Sequence, residues 1–464
     1  MDNIKVGFLP FYIKLYDDSN PHLRDPMVAH METIIHMLRS QGLEIVMPDD
    51  LCRIKEEFNR AVDRFIESGV AAVITYHLAY SPSLESIDAL LRLDVPIIIL
   101  DSTPDYALLS AAGESTKFGD NHGIHGVQDL CCMLKRRGRS YSICAGHVHH
   151  SNVIDETAGL CRAAAVRQAY QTARIGSVGG SFTGMGDFLI SDEQYETEIG
   201  AKVIYFTPED AKHYLSLVTE EEILDEIRLD KQKYTVEAKE GPNYFAATRA
   251  GLALRKWIEA NRLTACTVNF LTLDICGLPK MPFPECCKIM ERGLGYAGEG
   301  DVLTAGLVGA LMTVYPDVGF TEMFSPDWEQ NAIGLSHMGE NNPKLGKWKS
   351  VLSDKQFNFN SCGDTIGMYS CLRGGKATLV NLAPSEKGFR LVLCPIEMLD
   401  VGLEFGAYRY ANQGWFRPAR SVDTFLKEYS MAGATHHSAI VYDIQIEELK
   451  AFGTMMGFDV VVIG

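Results

Sequence analysis

Residues 71–101 read AAVITYHLAYSPSLESIDALLRLDVPIIILD, and the fold class turns on how their apolar residues are grouped. Ala71–Tyr76 and Pro96–Leu100 are short apolar runs rich in valine and isoleucine. Runs of this kind lack the alternation of a half-exposed strand and fit strands covered on both faces. Between them, residues 83–93 read as a helix. Strand, helix and strand in that order predict a parallel pair joined by a crossover.

The same rhythm continues outward. Ile4–Phe11, Leu43–Met47 and Tyr141–Ala145 are further strand-like runs. Asp25–Ser40 places Val28, Met31, Ile35 and Leu38 at helical spacing, and residues 54–68 and 121–137 supply more helices. The first third is therefore a parallel sheet covered on both faces. Ligands of such sheets bind beyond the carboxyl ends of the strands, which here carry Pro10-Phe11, Tyr76-His77, Asp101-Ser102 and Gly146-His147. If residues 146–150 are extended, His147 and His149 share a face. No carboxylate cluster is near them in sequence, so they read as ligand contacts or packing.

Beyond a long helix over Asp155–Ala173 a second α/β unit follows. Its strands are expected at Arg174–Gly180, Ala201–Phe206 and Ala265–Thr272, with helices at Thr207–Tyr214, Thr219–Lys231 and Pro242–Asn261. A helix after Gly300 carries an apolar stripe through Val302, Leu303, Leu307 and Leu311. After Asp317 the pattern becomes β-rich. Ala377–Leu382, Gly388–Cys394 and Phe405–Ala411 look like antiparallel strands. Thr424–Ala432 and Glu447–Gly457 read as short helices, and Phe458–Ile463 as a last strand. The fold class is α/β: two doubly wound parallel-sheet domains plus a C-terminal antiparallel β-rich domain.

At 464 residues the chain is too long for one ordinary core. A formal charge of −17 argues against nucleic acid, whose phosphates need a basic footprint. The 12 cysteines are scattered without a CxxC pair and read as small buried residues in a reducing compartment. Met1–Phe11 has no signal-peptide pattern, and no apolar run reaches membrane-span length, so a cytoplasmic protein with no membrane partner is expected.

The chemistry concentrates in Gly295–Glu340, GYAGEGDVLTAGLVGALMTVYPDVGFTEMFSPDWEQNAIGLSHMGE. Glu299 lies between two glycines, Glu322 in Phe-Thr-Glu-Met and His337 in Leu-Ser-His-Met, while His437 follows far downstream in Ala-Thr-His-His-Ser. Two carboxylates and two imidazoles suit a divalent metal that keeps positions open for substrate. Each also has a plainer explanation. Acidic residues offset the dipole in a first helical turn, and a histidine between apolar neighbours is often a satisfied core residue.

Ala297-Gly298-Glu299-Gly300-Asp301, Glu322, Ser336-His337-Met338 and His436-His437 occur in that order. Together they resemble the metal-site motifs of the L-arabinose isomerase and L-fucose isomerase superfamily, most closely the arabinose-isomerase side. The resemblance extends weakly over nearly the whole chain. It implies three domains: residues 1–172 (flavodoxin-like α/β), 173–317 (central α/β) and 318–464 (C-terminal, β-barrel-like). It implies Glu299, Glu322, His337 and His437 as metal ligands, with manganese the expected ion and magnesium, cobalt or zinc as alternatives. Asp327 or Glu329 could replace Glu322, because Met323–Trp328 departs from the family's acidic and aromatic run.

The implied activity is metal-dependent aldose–ketose isomerisation of the L-arabinose to L-ribulose type. It proceeds through an enediolate, with Glu299 and Glu322 as the catalytic carboxylates in an order left open. A hydride shift would use the same residues. His436, Met338, Met185, His77, Tyr80 and His125 are the expected substrate contacts. Met185 lies in a Gly-rich loop that lacks the spacing and lysine of a nucleotide P-loop. The segment Gly123–Gly126 resembles one whose histidine reaches a neighbouring subunit's site. A homotrimer or homohexamer with sites at subunit interfaces is thus implied. L-fucose, D-arabinose, D-galactose or an anionic or sulfonated hexose are alternative substrates, and Arg417 and Arg420 are candidates to meet an anion. A non-catalytic sugar-binding or regulatory protein, or a metal-dependent hydrolase, would be readings of another class.

Overall fold

A computed structural model describes residues 4–109, 119–401 and 410–464. The chain divides into two compact units, ending and beginning at Gln168 and Ala169. The first unit is built on a five-stranded parallel sheet of order β2-β1-β3-β4-β5. Its strands are β1 (Ile4–Phe11), β2 (Leu43–Val46), β3 (Ala72–His77), β4 (Ile97–Asp101) and β5 (Ser142–Ala145). Every residue of β3 is buried, as are the first four of β4, which is why these runs do not alternate. Helices Asp25–Ser40, Lys55–Ser68, Ser83–Leu90 and Ile124–Arg136 follow the expected stretches within a few residues.

The second unit opens with a four-stranded parallel sheet of order β10-β9-β6-β7. Here β6 is Arg174–Val178, β7 Lys202–Phe206, β9 Ala265–Val268 and β10 Gly295–Gly298. The strand expected over Ala265–Thr272 stops at Val268. Asn269 Oδ1 accepts the Leu271 amide and turns the chain into a 3-10 helix over Phe270–Thr272. A small sheet joins β8 (Thr235–Val236) to β13 (Val351–Lys355) and β14 (Thr365–Tyr369).

The remaining strands form a barrel. They are β11 (Val318–Asp327), β12 (Ala332–His337), β15 (Gly375–Ser385), β16 (Gly388–Met398), β17 (Asn412–Pro418), β18 (His437–Tyr442) and β19 (Asp459–Val462). The order β15-β18-β11-β12-β17-β16 closes because β15 also pairs with β16, and β19 is added parallel to β16. Closure removes the exposed edges of an antiparallel sheet. Most of the strand expected at Phe405–Ala411 lies outside the described residues. The strand that is described there starts at Asn412.

The helix Val302–Met312 corrects a second expectation. It is buried from Leu303 through Met312 without interruption, rather than along one stripe. A helix apolar all round needs cover on every side. This one is packed between the parallel sheet, at β6, β9 and β10, and the barrel, at β11, β15 and β18. It therefore joins the two layers on which the site is built. All 12 cysteines are free. Most are buried, but Cys132 is exposed and Cys131 and Cys362 are half-buried, unlike the small core residues expected. No helix among the described residues is long and apolar enough to cross a membrane.

Candidate active site

The site begins where β10 ends. Glu299 follows with φ +63°, a left-handed conformation that non-glycine residues rarely adopt, and Gly300 continues it at φ +81°. Asp301 then caps the helix that begins at Val302, its carboxylate accepting the Thr304 amide at 2.9 Å. The chain so passes from strand to helix within three residues, with the Glu299 side chain at the carboxyl end of a parallel strand. A Cβ on Gly300 would lie 2.1 Å from the Gly180 carbonyl oxygen, so only glycine fits there. Gly298 is required for a different reason: a Cβ there would meet the His337 ring at 2.5 Å.

The rim of the barrel supplies the rest. Glu322 on β11 stands opposite His437, the first residue of β18, in the antiparallel register. Ser336 of β12 faces Glu322 on its other side, and His337 ends that strand. Ligand atoms of Glu322, His337 and His437 all lie within 4.8 Å of one another, and those of Glu299, His436 and His437 do likewise. Asp327 instead caps the turn after β11, accepting the amides of Glu329 and Gln330. It and Glu329 do not join either group.

Each imidazole has its own carboxylate. His337 Nδ1 donates to Glu340 at 2.8 Å, and Glu340 is itself fixed by the Gly339 amide and the Tyr296 hydroxyl. His437 Nδ1 donates to Asp301 at 3.0 Å. His436 Nδ1 donates to Asp187 at 2.7 Å. An ionised carboxylate can only accept, so each pair fixes the tautomer and leaves Nε2 for the site. His437 Nε2 is buried and has no hydrogen-bond partner among the described residues; it lies 3.6 Å from Glu299 Oε2, as does His436 Nε2.

The electrostatics follow from this crowding. Burial alone would lower His337, but Glu340, then Glu322 and Glu299, raise it to about 9. Burial likewise opposes protonation of His436, yet Asp187 and Glu299 raise it to about 10. Burial works against the Glu299 anion, but His436, His337 and His437 hold its carboxyl below the usual value. Protons and a dication would compete for the same nitrogen lone pairs. An orphaned, buried Nε2, two carboxylates and a second oriented imidazole are a mixed oxygen–nitrogen donor set that fits a divalent metal.

The other expected contacts are distributed more widely. Met338 follows His337 and is half-buried, and Met185 is half-buried in the loop after β6. That loop reaches the site through Phe182, whose amide donates to the Glu299 carbonyl at 3.0 Å, and through Phe188, stacked on His437 at 5.3 Å. In the first unit, Tyr80 and His125 stack face to face at 4.8 Å. His77 is 3% exposed, and a Cβ at Gly123 or Gly126 would collide with it. Burial lowers its pKa to about 3, so it is a neutral ring packed behind the segment that carries His125.

His147–His150 form a turn, not an extended segment. His147 there donates to the Pro104 carbonyl and accepts the His149 amide. The arginines considered for an anionic substrate sit away from the site. Arg417 is exposed and lies five positions along β17 from Asn412, the partner of His337, or about 17 Å at ~3.4 Å per residue. Arg420 pairs with Glu428.

Glu340 and Asp187 were not legible as site residues beforehand. Glu340 had one available signal, its place three residues after His337. Asp187 had none beyond lying in a Gly-rich loop. Asp301 is both the helix cap and the support for His437.

The chain is similar to known proteins over most of its length. The family model for the L-arabinose isomerase central domain matches residues 192–316, and that for the L-arabinose isomerase C-terminal domain matches residues 317–459. Among curated relatives, an L-arabinose isomerase of Aeromonas salmonicida is 24% identical over 427 residues, covering 89% of this chain and 84% of that protein. One from Aeromonas hydrophila is 22% identical, covering 100% and 95%. One from a Nocardioides species is 24% identical, covering 100% and 94%.

Proposed function

Since the chain belongs to the L-arabinose isomerase family of aldose–ketose isomerases, we propose that it interconverts an aldose of the L-arabinose type and its 2-ketose at a divalent-metal site. Glu299, Glu322, His337 and His437 would hold the ion, with manganese expected and magnesium, cobalt or zinc as alternatives. The observation that carries this reading is the buried His437 Nε2, unpartnered and 3.6 Å from Glu299, with its other nitrogen fixed by Asp301. A bound dication would polarise the sugar carbonyl and stabilise charge developing on O1 and O2.

The residues themselves move the protons. One of Glu299 and Glu322 takes the C2 proton and returns it to C1, passing through an enediolate, while the other exchanges the hydroxyl proton. Glu299, with its anion favoured by three imidazoles, is held deprotonated, the state a base must start from, at some cost in basicity. His436 Nε2 faces the same space and would donate to a substrate oxygen as negative charge grows on it. Met338 and Met185 would wall the pocket. Tyr80 and His125 would complete a neighbouring subunit's pocket in a cytoplasmic homotrimer or homohexamer. L-fucose, D-arabinose, D-galactose and anionic hexoses remain the competing substrates; neither Arg417 nor Arg420 is placed to favour the anionic ones.

Turnover is the test. Metal-stripped protein supplied with manganese and a panel of aldoses should form a ketose from at least one, and the Glu299→Gln variant should not. Stoichiometric sugar binding without any turnover would instead favour a binding or regulatory protein.

A further inference from the structure

The loop between β6 and the helix Asp192–Glu198 crosses to the barrel and meets β18, 249 positions later in the chain. It is joined to the site at three points. The Phe182 amide donates to the Glu299 carbonyl, the Phe188 ring stacks on His437 with planes 9° apart, and Asp187 holds His436. The Asp187 contact has an unusual form. One carboxylate oxygen, Oδ2, accepts both the His436 backbone amide at 3.0 Å and its ring Nδ1–H at 2.7 Å. The two bonds set where the imidazole sits and which way it is turned. With Nδ1 committed, Nε2 can only point towards Glu299, 3.6 Å away.

His337 and His437 are held by wholly buried carboxylates, whereas the Asp187–His436 pair is about one-third exposed, 36% for each side chain. A sugar must enter from solvent, so the open pair lies on the substrate's side of the site. We propose that Asp187 is a positioning residue for the isomerisation. It acts through His436 to hold Nε2 against the substrate oxygen that gains charge, and it contributes nothing to metal binding. This rests on the isomerase reading above. Its loss should lower kcat while leaving metal content and substrate KM little changed, because the interaction strengthens as the transition state forms.

Two variants separate positioning from folding. In Asp187→Asn, the amide oxygen can accept both bonds that Oδ2 accepts, so the His436 ring should keep its place, but the charge that favours an Nε2–H donor is lost and kcat should fall, by less than in the leucine variant. In Asp187→Leu both acceptors are lost, and kcat should fall about 10- to 100-fold, the usual effect of removing a carboxylate that orients a working histidine. Manganese content of both variants should match the parent, and a crystal structure of Asp187→Leu should show the His436 ring turned from Glu299. Three results would overturn the proposal: unchanged kcat in Asp187→Leu, manganese lost together with activity, or a His436 ring unmoved in that crystal structure. The crystallographic result stands whether or not any aldose is turned over. Failure of the isomerase reading, silence of the parent chain across the sugar panel, is therefore a separate outcome.

Discussion

At the residue scale, the site depends on backbone conformations and carboxylates that no single motif explains. Gly300 combines φ +81° with a Cβ position 2.1 Å from a carbonyl oxygen. Gly300→Ala should therefore destabilise the chain by about 1–3 kcal/mol and displace Glu299 with it, seen as a lower urea midpoint together with lost turnover. A change at Glu340 acts differently, because among the described residues this carboxylate accepts from His337, the Gly339 amide and Tyr296. Glu340→Gln removes the charge that orients His337 and makes it a strong donor. Manganese affinity, measured by calorimetric titration, should weaken about 10- to 100-fold while the far-ultraviolet circular dichroism is unchanged. Affinity equal to the parent's would show that His337 is not a ligand. Glu299, Glu322, His337 and the His436–His437 pair were legible one by one, because glycine flanks, histidine type and order in the chain are local properties. Glu340 and Asp187 were not, since what they do depends on which nitrogen faces them.

At the scale of elements, the position of His437 is decided by how β18 is entered. Asn381 of β15 donates from one side-chain nitrogen to the Thr435 carbonyl, the Thr435 hydroxyl and the His437 carbonyl, and its oxygen accepts the Thr435 amide. These bonds fix Thr435 and the His437 carbonyl, with Asn381, Thr435 and His437 all buried. Asn381→Leu would leave the buried Thr435 amide unpaired, while the two carbonyls keep the Tyr429 and Thr435 hydroxyls, and should cost about 1–3 kcal/mol. Chemical denaturation would measure the loss, and an unchanged midpoint would contradict it. The strands of the first sheet were readable because buried parallel strands have one signature, a short apolar run. β11 and β12, which carry Glu322 and His337, passed unnoticed. β11 ends in Phe-Ser-Pro-Asp with exposed residues and a bulge between Met323 and Ser325, so it carries neither a clean alternation nor an apolar run.

At the scale of the whole molecule, the second unit also contains a charged cluster that the site does not use. Arg255 bridges Glu226 and Glu285, Lys288 bridges Glu226 and Asp230, and Arg292 also pairs with Glu285. Burial alone would raise the Glu226 carboxyl, but Arg255 and Lys288 outweigh it and hold it at about 2. A folded value below the unfolded one, about 4.3, means the carboxylate stabilises the fold fully above pH ~5. That contribution is lost as the pH falls through the folded value of about 2. Glu226→Gln should destabilise the protein by about 3–5 kcal/mol at neutral pH, because two cations lose a buried partner. Its unfolding free energy should also fall less steeply than the parent's between about pH 5 and pH 2. Parallel curves would exclude a role for Glu226 in acid unfolding.

Sequence alone determined the layers of this protein: parallel sheets from unalternating apolar runs, a β-rich end from turns and alternation, and the order of the chemical residues. These are set by local periodicity, which each segment carries within itself. The tertiary structure decided that helix Val302–Met312 is enclosed on all sides, that the barrel closes between β15 and β16, and that Glu299 meets the barrel rim. It also decided which carboxylate orients which imidazole. Several of those outcomes depend on contacts between residues more than a hundred positions apart, such as Asp301 with His437 and Asp187 with His436. No spacing rule encodes them, because the chain between the partners can take any length that lets the packed layers bring their ends together.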